Sequence, residues 1–249
     1  MIAKTLLVSW LPCSYIESSW EGIPLVFLHG WWQSKEAFQK LYSLLEKKWI
    51  PFFWIDFPGF WSTPDPSTIW WVQDYADFIV SFLEKKWVEK YILIGHSFGG
   101  RIGIVLASRK LPWLQKLVLI GSAWILPKIS PVRKILISSA NLLLRIPGLS
   151  TLRPLLRERF GSDDDRNAGS LRAIFRRVIR EDLEPLLGNI VCPTLLIWWA
   201  LDTATPLSDG ELMQMKIPWS TLKVFDTGTH FVYDEFPEEV LDTIIVFLH

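Results

Sequence analysis

The chain has 249 residues, 50% of them hydrophobic and 21% charged, and its 26 Lys plus Arg balance 26 Asp plus Glu. That length suits one large α/β domain, or a core domain with an insertion, and the composition excludes a disordered chain. Zero net charge with no long basic run argues against nucleic-acid binding, and the spacing of Cys13 and Cys192 indicates neither a disulfide framework nor a zinc site.

Along the chain, the apolar run at 5–10 is short for a signal-peptide core and lacks a small-residue cleavage site, so it reads as a first strand. No window approaches the roughly 18 apolar residues of a membrane span. No stable membrane insertion is expected, and a reducing cytoplasm is the expected setting. A buried strand follows at 25–28. The 34–48 stretch then places Phe38, Leu41, Tyr42 and Leu45 on one helical face. Strand 50–55 runs into the turn Asp56-Phe57-Pro58-Gly59. Val72, Tyr75, Ile79 and Leu83 give a helix over 72–86. A strand at 91–95, a helix at 99–110 and a strand at 117–120 complete the first half. Two more strands are expected at 194–198 and 222–225, with a closing helix at 237–248. Strands alternating with helices predict an α/β fold with a mostly parallel central sheet flanked by helices.

The interval 122–189 breaks that alternation. It shows no convincing strand, but helical stretches at 132–146, 152–160 and 171–179, with Asp163-Asp164-Asp165 as a solvated turn. The expected organisation is a core at 1–121 and 190–249 interrupted by a helical module at 122–189. Within the module, the 132–146 helix reads as packed on the core; lining an acyl slot or lying on a membrane surface are the alternatives. The arginines Arg172, Arg176, Arg177 and Arg180 read as a solvated face.

Chemistry concentrates at Gly95-His96-Ser97-Phe98-Gly99, a G-x-S-x-G between a predicted strand and a predicted helix. A turn that sharp lifts a serine hydroxyl above the sheet, and the helix N-terminus behind it favours developing negative charge. A serine needs a base. Of the four histidines, His96 abuts the serine, His29 shapes a loop after a strand, and His249 is terminal, so His230 is the expected base. Asp202, just past the 194–198 strand, is the expected orienting carboxylate. Asp226, Asp234 and acids near the end of strand 117–120 are the alternatives. The order Ser97, Asp202, His230 matches one fold among several that carry such triads. The backbone N–H groups of Trp31 and Phe98 are the expected oxyanion donors.

Five segments in this order make the chain resemble the α/β-hydrolase superfamily along its whole length. They are Phe27-Leu28-His29-Gly30-Trp31, Asp56-Phe57-Pro58-Gly59-Phe60, the serine turn, the stretch from Pro193-Thr194 to Asp202 and Pro206, and Gly228–His230 with Phe236-Pro237-Glu238. The resemblance implies a cofactor-free hydrolase of a small-molecule substrate, with a helical cap at 122–189 that selects it. Ester hydrolysis is the expected reaction, with C–C bond cleavage on the same triad the near alternative. A non-catalytic binding module and a metalloprotein are more remote ones.

Fifteen tryptophans stand beside only 14 glycines. Trp32, Trp61, Trp124 and Trp199 occupy places where the family pattern has glycine. Trp49, Trp87 and Trp113 sit where helices should stop, which is a glycine position. The expectation is that about ten of the fifteen are glycines encoded by UGA, which some bacterial lineages read as glycine. A Trp-rich protein with extensive aromatic packing is the alternative.

Overall fold

A computed structural model of the chain describes residues 2–123 and 168–249. The chain divides into two compact units, Met1–Ile125 with Asp182–His249, and Leu126–Glu181. The first unit is built on eight strands: β1 (Lys4–Val8), β2 (Leu11–Glu17), β3 (Leu25–Leu28), β4 (Phe52–Ile55), β5 (Tyr91–His96), β6 (Leu114–Ile120), β7 (Thr194–Trp199) and β8 (Ser220–Phe225). Their order in the sheet is β1-β2-β4-β3-β5-β6-β7-β8. The β1–β2 and β2–β4 pairs are antiparallel, and every other pair is parallel.

The helices of this unit are α1 (Gln39–Lys47), α2 (Val72–Lys85) and α3 (Phe98–Ser108), then after the second unit α5 (Glu184–Leu187), α6 (Leu207–Lys216), α7 (Val232–Glu235) and α8 (Pro237–Leu248). In the second unit, α4 spans Arg172–Val178. The expected helix at 171–179 is therefore a 3-10 turn at Gly169–Leu171 leading into α4. The stretches at 132–146 and 152–160, the Asp163–Asp165 turn and Trp124 lie outside the described residues.

The two faces of the sheet bury different residues because strand side chains alternate. Ile92 and Ile94 of β5 join one cluster with Phe38, Leu41 and Leu45 from the α1 side and Val240, Leu241 and Ile244 from α8. Leu93 points the other way, toward α3. There a Cβ on Gly103 would sit 3.3 Å from Leu117 and 3.5 Å from Leu93. The 34–48 helix is split, because Ser34 accepts a hydrogen bond from Glu36 N–H and caps a 3-10 turn, Lys35–Phe38, ahead of α1.

A buried ion pair ties that turn to the end of β4. Lys35 Nζ lies 2.9 Å from Asp56 Oδ2, and Lys35 N–H donates to Asp56 Oδ1 at 2.7 Å. Both side chains are almost fully enclosed. Burial pushes the Asp56 carboxyl up, against the opposing pull of Lys35. Among the described residues no helix is long and apolar enough to cross a membrane.

Candidate active site

The parallel strands β3, β5 and β7 end on one edge of the sheet, where the chain turns sharply after each. After β5 the turn is so tight that Ser97 takes φ +50° and ψ −108° before α3 begins. Ser97 N–H donates to Ile120 C=O at 3.0 Å, and Gly99 N–H to His29 C=O at 3.0 Å. The flanking glycines are required by crowding. A Cβ on Gly95 would meet Gly99 O at 2.6 Å, and one on Gly99 would overlap the Leu28 carbonyl. Phe98 opens α3, where the first N–H groups have no intrahelical acceptor.

Asp202 follows β7 and is held by four hydrogen bonds. Oδ1 accepts Ala204 N–H at 2.7 Å and Thr205 N–H at 2.9 Å; Oδ2 accepts the Thr205 hydroxyl at 2.5 Å and His230 Nδ1 at 3.1 Å. Burial would raise this carboxyl, but the hydrogen bonds from His230 and Thr205 outweigh it and hold it below the usual carboxylate range. The contact with Asp202 occupies Nδ1 and leaves Nε2 as the ring nitrogen turned away from the carboxylate. Glu235 of α7 pins the histidine loop by accepting Thr229 N–H at 2.7 Å and the Thr229 hydroxyl at 2.5 Å. Gly228 turns into that loop at φ +120°.

Gln33 and Tyr233, which the sequence did not single out, join these loops together with His96. Gln33 Oε1 accepts Gly30 N–H at 2.8 Å and lies 2.9 Å from His96 Nδ1. Gln33 Nε2 donates to the Tyr233 hydroxyl at 2.5 Å. His96 Nε2 is 2.8 Å from the His230 carbonyl, and the two rings are 4.7 Å apart. Gln33, His96 and Tyr233 thus tie the loop after β3, the serine turn and the histidine loop into one assembly. Polar residues far apart in sequence carry no local signal of such a network.

The structure brings together Asp202 and His230, and it sets His230 against His96, the residue before Ser97. Among the described residues no hydrogen bond joins the Ser97 hydroxyl to His230. Such bonds are often long without substrate and tighten once it is bound. Asp234 instead pairs with Lys40 at 2.9 Å. The rings of Trp31 and Phe98 stand 5.0 Å apart, which places the two expected oxyanion residues side by side. His29 is fully buried: Nδ1 donates to Gly30 C=O at 2.8 Å, and Nε2 accepts Phe57 N–H at 3.3 Å. Among the described residues no cluster of three or more His, Cys, Asp or Glu is arranged to hold a metal ion.

The buried histidines make stability depend on pH. Burial pushes the His29 imidazole down to about 4, and burial with the nearby His230 pushes His96 well down. Unfolded histidines take up protons through about pH 6.5, while these two stay neutral in the fold. The unfolded state then binds more protons, so stability falls as pH drops from about 6.5 toward 4. At its full extent the His29 contribution is about 3 kcal/mol. Urea midpoints taken across this window should fall with pH, less steeply in His29→Asn. Parallel slopes in the two proteins would contradict this account.

A model of the alpha/beta hydrolase family matches residues 25–243. The chain belongs to the α/β-hydrolase family and is an α/β-fold hydrolase. It is similar to the hydrolase YugF of Bacillus subtilis strain 168, 28% identical over 90% of this chain and 89% of that protein. It is also similar to a pimeloyl-(acyl-carrier protein) methyl ester esterase of Photobacterium profundum, 26% identical over 92% of this chain and 95% of that protein. The structure of an esterase from Exiguobacterium antarcticum superposes with a TM-score of 0.78 at 20% identity, covering 99% of both chains.

Proposed function

We propose that the chain hydrolyses carboxylic esters of small, apolar acyl groups through Ser97, His230 and Asp202. Ser97 Oγ attacks the ester carbonyl as His230 Nε2 takes its proton, while Asp202 holds the imidazole and stabilises its charged form. The backbone N–H groups of Trp31 and Phe98 receive the oxyanion. The imidazolium protonates the departing alcohol. Water, activated by the same nitrogen, then cleaves the acyl-enzyme. The 122–189 insertion acts as the cap that chooses the acyl group.

The observation that carries this reading is the 3.1 Å contact between His230 Nδ1 and Asp202 Oδ2 beside the strained serine turn. The similarity to a methyl ester esterase over nearly the whole chain supports an ester over a C–C bond. A panel of p-nitrophenyl esters of increasing acyl length, run beside a C–C diketone, tests it. The expected result is ester turnover with an optimum at one chain length. Turnover of the diketone without turnover of any ester would overturn it.

A further inference from the structure

Six tryptophans hold a left-handed backbone: Trp10 (φ +70°), Trp32 (+62°), Trp49 (+54°), Trp61 (+49°), Trp87 (+55°) and Trp219 (+60°). A side chain with a Cβ is disfavoured there, and a bulky ring most of all; glycine adopts the region freely.

Each of the six also occupies the glycine position of a recognisable turn. Trp49 and Trp87 end helices. After α1, Trp49 N–H donates to Glu46 C=O at 3.1 Å and Ile50 N–H to Leu45 C=O at 3.1 Å. After α2, Trp87 N–H donates to Glu84 C=O and Val88 N–H to Leu83 C=O, both at 3.0 Å. Both are complete Schellman motifs with tryptophan at the residue that is ordinarily glycine. Trp10 is the second residue of the two-residue β1–β2 loop, in which Ser9 and Trp10 both have positive φ. That is a type I′ hairpin, whose second position favours glycine. Trp32 is the third residue of the turn closed by Gln33 N–H to Gly30 C=O, and Trp219 follows Pro218; both places match the glycine of a type II turn. Trp61 is the second residue of the turn closed by Thr63 N–H to Phe60 C=O, the glycine position of a type II′ turn.

Packing does not compensate for these conformations. Five of the six side chains are at least 72% exposed, the exception being Trp32 at 38%. Trp198 is the contrasting case: it is fully buried in a strand, and its indole N–H donates to Thr205 C=O at 2.7 Å. It behaves as a tryptophan selected for its side chain.

We infer that glycine is the residue the gene specifies at positions 10, 32, 49, 61, 87 and 219, through UGA codons that the host reads as glycine, and that Trp198 is encoded as tryptophan. One codon reassignment accounts for six unrelated turns at once, and Trp-rich packing accounts for none of them. At the active site, glycine at 32 removes the indole whose ring stands 6.1 Å from that of Trp31. The loop after β3 then gains both open space and the flexibility of glycine.

The test is peptide mass spectrometry on the protein purified from its own host, read beside the gene. The expected result is glycine at all six positions over UGA codons, with tryptophan retained at 198 over UGG. Tryptophan in the native peptides at any of the six, or a codon other than UGA beneath them, overturns the inference.

Discussion

Ser97→Ala is expected to lower kcat/KM for the best p-nitrophenyl ester by roughly 10⁴-fold or more, with the fold intact. In the proposed mechanism the residual rate comes from the oxyanion donors and substrate binding, which the substitution leaves in place. Asp202→Asn should fall in a similar range, because it offers His230 the wrong partner at Nδ1 while leaving the shape of the site unchanged. A companion variant separates chemistry from folding. Ser97→Gly removes the nucleophile and also relieves a non-glycine residue at φ +50°. It should be as inactive as Ser97→Ala and about 1 kcal/mol more stable than wild type. Wild-type activity in either Ser97 variant would remove this serine from the mechanism. A Ser97→Gly protein no more stable than wild type would show that the turn stores no strain.

Asp56→Ala carries the largest expected loss of stability, about 3–5 kcal/mol, because it leaves the enclosed ammonium of Lys35 without its carboxylate. For a chain of this size that corresponds to a fall in Tm of roughly 10 °C. Glu36, 2.8 Å from Lys35 Nζ but half exposed, recovers only part of the loss. Replacing both partners with apolar residues, Lys35→Met with Asp56→Leu, should restore most of it, since the penalty lies in the orphaned charge. Thermal or urea unfolding of Asp56→Ala, of the single variants Lys35→Met and Asp56→Leu, and of the double variant checks this. Additive losses in the double variant would mean that the two side chains act independently. Among the described residues the side chains of the pair bond to Glu36, to each other and to none of Ser97, Asp202 and His230, so Asp56→Ala should lower activity in proportion to the unfolded fraction and no further.

The serine turn and the loops carrying Asp202 and His230 stood out in the sequence because the proposed triad needs particular residue types next to particular strands. The parallel strands were legible for a related reason: strands buried on both faces are nearly continuous apolar runs, as at Leu25–Leu28 and Phe52–Ile55. What escaped had weaker patterns. β2 begins Leu-Pro-Cys-Ser, and a proline argues against an interior strand although this one lies between β1 and β4. α6 buries only Gly210 and Met213, which leaves no apolar stripe to detect.

The tryptophans divide along the same line. Trp32, Trp49, Trp61 and Trp87 stood out because a motif or a helix end called for glycine there. Trp10 did not, because its hairpin went unseen with β2, and Trp219 was hidden at the end of the unseen α6. Trp199 belongs to β7 and its backbone needs no glycine, yet its indole N–H is buried with no acceptor among the described residues, 5.6 Å from the His230 ring. Trp113 likewise has no positive φ.

A fluorophosphonate adduct mapped to its peptide is the most direct measurement of the central claim that a carboxylate-oriented imidazole activates one strained hydroxyl. A single adduct is expected on the peptide containing Ser97, formed at a rate that collapses in His230→Ala and in Asp202→Asn. Ester turnover that continues with Ser97 unmodified, or an adduct on another residue, would contradict it.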